Sequence, residues 1–150
     1  TLLPYKGQPT YRGSLNFTEP EIFEMIKTSH ALGWQMGLHT IGDAAIQLTV
    51  DMFEKILRDK EETAEIRQIS ASALQSLKPE KLQEHAREIV LDPSEYDEIQ
   101  ATSLTALAQF GDEEAIAKDE ALMKSVSRIS NKASAKAKQN ARRFLSKFGG

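Results

Sequence analysis

The chain has 150 residues, no cysteine, 40% apolar and 27% charged residues, and a net charge of −3. These values suit one or two folded domains and exclude disulfides and thiolate metal sites. No apolar run reaches the ~20 residues of a membrane-spanning helix, and no basic segment leads into an apolar one as in a secretory signal. A cytoplasmic protein is the expectation. A first residue Thr1 in place of Met reads as a fragment or a processed product.

The first ~60 residues alternate between strand-like and helix-like patterns. Tyr11 to Phe17 reads as a short strand. Thr18-Glu19-Pro20-Glu21 then reads as a helix start, with Thr18 as cap, Pro20 in the tolerant first turn and Glu21 as capping-box partner. Ile22, Phe23, Ile26 and His30 follow at helical spacing, and Gly33 is the expected stop. Trp34 to Thr40 is the next strand candidate, and a second helix starts at Asp43 with Ile46, Val50, Phe53, Ile56 and Leu57 on one face. Strand, helix, strand, helix with short links is the pattern of a parallel α/β sheet or barrel.

Beyond about Arg58 the period is helical throughout. Ile66, Ala73, Leu74 and Leu77 stand at offsets 0, 7, 8 and 11. Ile99, Ala106, Leu107 and Phe110 repeat those offsets, and Ala137, Phe144, Leu145 and Phe148 repeat them again. Leu82, Ala86, Ile89 and Val90, then Ile116, Leu122, Met123, Val126 and Ile129, run between the copies, so each copy reads as a helix followed by a partner helix. Pro79, Asp92-Pro93-Ser94, Gly111-Asp112 and Ser130-Asn131 supply stops and caps. Pairs of this length bury their apolar stripes only against neighbours, which is the logic of a solenoid.

Charge is unevenly spread. The first 120 residues hold all 22 acidic and 11 of the 19 basic residues, a net −11. The last 30 hold eight basic residues, from Lys124 to Lys147, and none acidic. Such an end attracts an acidic surface, or serves as a solvated helix face. Without aromatic or glycine interleaving it does not mark a nucleic-acid module.

Two resemblances sharpen these patterns. Gly33-Trp34-Gln35 entering a strand, then His39-Thr40-Ile41-Gly42-Asp43 and Ala45, with Asp51 and Phe53-Glu54 downstream and Gly13-Ser14-Leu15 and Phe23, Ile26 and Ala31 upstream, resemble the metal-dependent amidohydrolase superfamily, within it amidohydrolase family 3. The resemblance spans roughly positions 5–57 and implies a piece of a distorted (β/α)8 barrel. It implies His39 as a ligand to zinc or another divalent metal, with Gly42 and Asp43 shaping the turn behind it. Asp43 would orient the imidazole as part of the catalytic set or cap the following helix. The segments "SASALQSL" and "ATSLTALAQFGD" resemble HEAT or armadillo-type repeats over about residues 61–150.

The expected fold is therefore mostly α: an N-terminal βαβα fragment over residues 1–60 and a HEAT-like helical module over 61–150. His85 lies near Glu84 and Glu88 on one helix and reads as an exposed helical group rather than a metal pair. His39 is the one family ligand that can be assigned. A catalytic zinc takes about three protein ligands and a full barrel ~250 residues, so neither bound metal nor turnover is expected of this chain. The expected activity by resemblance is hydrolysis of non-peptide C–N bonds. The alternative is a non-enzymatic protein-binding scaffold, with Lys136 and Arg143 as partner-binding residues. A junction between unrelated pieces near residues 57–62 is a third expectation, with the helix from Asp43 continuing directly into the repeats.

Overall fold

Local chemistry at Thr18 starts the first helix where the sequence expects it. In a computed structural model that describes residues 2–34 and 37–149, the Glu21 carboxylate accepts both the Thr18 backbone N–H (2.7 Å) and its hydroxyl (2.8 Å). Helix α1 runs Glu19–Ala31 with Pro20 in its first turn. It ends in a Schellman motif: Gly33, at φ +75°, donates to His30 O, and Trp34 donates to Ser29 O. Helix α2 runs Asp43–Arg58 after Gly42, which takes φ +90° at the cap.

Six further helices follow among the described residues: α3 Ala64–Leu77, α4 Pro79–Leu91, α5 Asp97–Phe110, the short α6 Glu113–Ala117, α7 Glu120–Lys132 and α8 Ala135–Phe148. None is long and apolar enough to cross a membrane.

The βαβα expectation is overturned. Among the described residues there is no strand and no sheet. Neither residues 11–17 nor residues 37–40 form a ladder; Gln35 and Met36, within the second expected strand, lie outside the described residues. The physical reason is where the backbone bonds go. Tyr5 N–H donates to Tyr11 O, Gln8 N–H to Tyr5 O and Tyr11 N–H to Gln8 O, closing a local loop with a single Tyr5–Gln8 bridge. A strand persists only with a ladder partner, and a two-stranded sheet is marginal in water. The apolar face of α2 packs on α3 instead of on a sheet.

The helices pair as α2–α3, α4–α5 and α7–α8. Each apolar copy thus packs chiefly with the helix before it, not the helix after. Linker length explains the phase. A single residue, Lys78, separates α3 from α4, which makes a corner. The longer linkers 59–63 and 92–96 separate the members of the first two pairs and let each helix fold back. Those two linkers are built alike. Asp59 Oδ1 accepts the Glu61 N–H and Asp92 Oδ1 the Ser94 N–H, while Glu62 N–H donates to Asp59 O and Glu95 N–H to Asp92 O. The helix from Asp43 therefore stops at an Asx turn and does not run on into α3.

The second members, α3, α5 and α8, lie side by side, and α4 contacts α7. Ser70, Ser103 and Ala141, equivalent small residues on those three helices, are all buried and let their backbones approach. Bonds across the array reach about one repeat: Gln68 Nε2 donates to Thr102 Oγ1, Gln75 Nε2 to Gln109 Oε1 and Asn140 Nδ2 to Ala101 O. Two apolar clusters form the core. One gathers Phe53, Leu57, Leu74, Leu82 and Ile99; the other gathers Val90, Leu104, Leu122, Val126 and Phe144. The apolar copies fill both, except that Leu77 and Phe110 stay exposed where Phe148 is buried. Ser130-Asn131 does not end a helix: both side chains donate to Ser127 O inside α7, and the cap falls at Ser134, whose hydroxyl accepts the Ala137 N–H.

Candidate functional site

Helix α8 carries the most one-sided charge in the chain. Ala137, Ala141, Phe144 and Phe148 bury one stripe against α7 and α5. At i, i+4, i+7 and i+11 a second stripe carries Lys136, Asn140, Arg143 and Lys147. Two of its members fix where it lies. Asn140 Nδ2 donates to Ala101 O and Thr105 Oγ1, and Lys147 Nζ to Ala108 O, so the stripe borders α5. Lys147 is also 2.7 Å from Glu113 Oε1. Lys136 and Arg143 are exposed and take part in none of the chain's ion pairs among the described residues. The stripe runs beside Thr105 and exposed Gln109 on α5, while Gln68 and Gln75 of α3, past α5, bond to buried Thr102 and to Gln109.

A second concentration of polar groups lies where α2, α3 and α4 meet, in a cleft of about 250 Å³ lined by Arg58, Lys60, Arg67, His85, Glu88 and Glu95 among others. Its floor is a buried ion pair. Arg67 Nη1 and Nη2 donate to Glu95 Oε1 (2.8 Å) and Oε2 (2.5 Å), and Arg67 Nε donates to Leu57 O. The two side chains are 4% and 0% exposed. Lys60 Nζ reaches both Glu95 and Asp92. Burial pushes the Glu95 carboxyl up, but the Arg67 guanidinium and the Lys60 ammonium outweigh it and hold the group below the ordinary glutamate range. Asp92 falls to about 2, because the Ser94 hydroxyl and N–H and then Lys60 all donate to its charged form. In the next repeat Gln100, at the position equivalent to Arg67, does the corresponding work with a neutral amide, donating to Asp92 O at the end of α4. The network is thus architectural: it ties a linker to the helix ends on either side.

His85, expected as an exposed helical group, is instead partly buried and bonds across helices. Its Nε2 lies 2.6 Å from Glu54 Oε1 on α2. Lys81 Nζ stands 3.1 Å from Glu84 Oε2 and 3.6 Å from Glu54 Oε2. The hydrogen bond with His85, opposed by partial burial and helped by Lys81, lowers the Glu54 pKa.

The residues expected from the hydrolase resemblance are not brought together into a centre. His39 is exposed and borders a cleft with Ser14, Asn16, Phe17, Thr40 and Thr49; among the described residues no second imidazole or carboxylate lines that cleft. Asp43 is the first residue of α2, behind the Gly42 cap. Its Oδ1 accepts the N–H groups of Leu2 and Ala44, so it serves the positive end of the helix. His30 sits in the last turn of α1. Sequence reasoning misses Glu54 as the partner of His85 and Glu95 as the partner of Arg67. The available signal is the near one-repeat separation of the partners, 31 residues for Glu54–His85 and 28 for Arg67–Glu95. No family model, curated protein or solved structure matches this chain.

Proposed function

We propose that the protein is a helical-repeat interaction module that binds an acidic segment of a protein partner along the α5–α8 face. The carrying observation is the pair of exposed cations Lys136 and Arg143, outside the ion pairs of the described residues, on a stripe beside a polar helix face. Two features support it. The stripe is held in place by the Asn140 and Lys147 bonds to α5, so its charges are displayed on a preorganised surface. No acidic residue follows Glu120, so nothing on α7 beyond its first turn or on α8 neutralises them. An extended Glu- or Asp-rich segment gains charge-assisted bonds to Lys136 and Arg143 and a further polar bond to the exposed Gln109 amide on α5. A nucleic acid offers negative charge too, but this face lacks the aromatic stacking groups that single strands use.

The test is fluorescence anisotropy with a labelled Glu/Asp-rich peptide and a labelled DNA oligonucleotide. The peptide is expected to bind, to weaken as salt rises, and to lose ~10-fold or more in affinity in Lys136→Glu/Arg143→Glu, with unchanged circular dichroism. Salt-insensitive binding, an unaffected double variant, or tighter binding of the DNA would each sink the reading.

A further inference from the structure

Helices α2 and α4 meet through a cluster of ionisable side chains. Glu54 from α2 and Glu84 and His85 from α4 bring three metal-capable atoms within 4.8 Å of one another, the one such group among the described residues. We propose that Glu54, Glu84 and His85 form a binding site for a divalent cation of the zinc class, and that the Lys81 ammonium is the internal counter-cation it displaces.

Three observations carry this. The first is rigidity. Glu54 follows buried Phe53, and His85 lies between buried Leu82 and Ala86, so helix packing fixes both backbones. The Glu54 and His85 side chains are themselves only 19% and 18% exposed, which leaves them little freedom to lose on binding an ion. The second is that these carboxylates already attract a cation: Lys81 Nζ sits between Glu84 and Glu54. Its side chain is 30% exposed, and its flexible stem can carry the ammonium out to water, while the more exposed Glu84 can turn inward. The third is the donor set. One imidazole nitrogen with two carboxylate oxygens suits zinc, nickel or copper, whereas calcium and magnesium prefer all-oxygen sites. Three protein ligands satisfy zinc with water in the fourth position. An ion held there would bridge two consecutive repeats and add to their stability by mass action.

The experiment is calorimetric titration of the full chain with zinc chloride, and separately with calcium chloride, alongside thermal unfolding. The native chain is expected to bind one zinc and to unfold at a higher temperature with it. Lys81→Ala is expected to bind ~10-fold tighter or better, since the competing ammonium is gone. His85→Ala and Glu84→Gln are expected to lose binding, and His39→Ala to bind as the native chain does. Glu84 is exposed, so Glu84→Gln keeps the test decisive where His85→Ala fails to fold. Absence of one-to-one zinc binding by the native chain, retention of it in Glu84→Gln, or equal affinity for calcium would overturn the proposal.

Discussion

Residues 2–18 and helix α5 are both supplied with apolar side chains, yet they end at opposite extremes of burial. Leu3 is 76% exposed, and Tyr5, Tyr11, Leu15 and Phe17 are each about half exposed, whereas Ile99, Ala101, Ser103 and Ala106 on α5 are at 0%. The difference lies in neighbours, not composition. Helix α5 has α4 as its hairpin partner and α3 and α8 on its flanks, so even Gln100, Thr102 and Ser103 are buried. The N-terminal segment closes a loop on itself around Tyr5–Tyr11 and meets the start of α2, where Leu2 N–H donates to Asp43 Oδ1, and its large apolar side chains stay about half exposed or more. A stacked array buries what lies between two repeats and leaves exposed what lies beyond its end.

The sharpest way to break that contrast is at the linker holding the first two repeats. Glu95→Ala removes the carboxylate that pairs with the buried Arg67 guanidinium. Leaving one charge of a buried pair uncompensated costs about 3–5 kcal/mol, well above the effect of most single substitutions. Urea unfolding should show a loss of this size. A loss under ~1 kcal/mol, the scale of an exposed pair, would mean that Arg67 swings to water and that the linker does not fix the α3–α4–α5 geometry. Lys60→Ala is the companion: its side chain is 56% exposed, so its loss should be small.

Acid provides a graded version of the same perturbation. The Asp92 pKa is lowered to about 2. A depressed carboxylate contributes stability that is present above its ordinary value of 3.8 and is lost as pH falls through the folded one. Native-state stability should therefore decline between about pH 4 and pH 2, with Asp92→Asn flattening part of that decline. Glu95, also held low, contributes in the same direction. A variant whose acid profile overlays that of the native chain would remove Asp92 from the account.

What the sequence discloses follows the range of the forces involved. The start of α1 is legible at Thr18 because its capping box is a set of bonds between near neighbours in the chain. The start of α2 is legible from its apolar stripe, although the cap is Gly42 and Asp43 is the first helical residue. The recurrent offsets of Ile66, Ile99 and Ala137 are legible because a helix must repeat its apolar stripe to be buried. The Tyr11–Phe17 stretch misleads because a strand-like segment describes one backbone, while a strand needs a partner that no local pattern names. The Arg67–Glu95 and Glu54–His85 pairs stay hidden for a related reason: each joins residues about one repeat apart, and only the phase of helix pairing brings them together. Ser130-Asn131 resembles a stop, but both side chains find an acceptor within the helix at Ser127 O. The cationic character of α8 is plain, because the absence of acidic residues after Glu120 needs no structure to read.

The gentlest prediction tests the exposed extreme. Ile41 is 79% exposed, just ahead of α2. If burial is decided by stacking and not by local hydrophobicity, Ile41→Ser should change stability by less than ~0.5 kcal/mol, as substitutions away from packed features do. The same exchange at Ile99, fully buried on α5, should cost several times more, since it deletes methyl groups from a filled core and buries a hydroxyl. Parallel denaturation of the two variants measures the ratio directly. Equal losses would mean that the N-terminal segment is packed in solution after all, and that the array extends its core past α2.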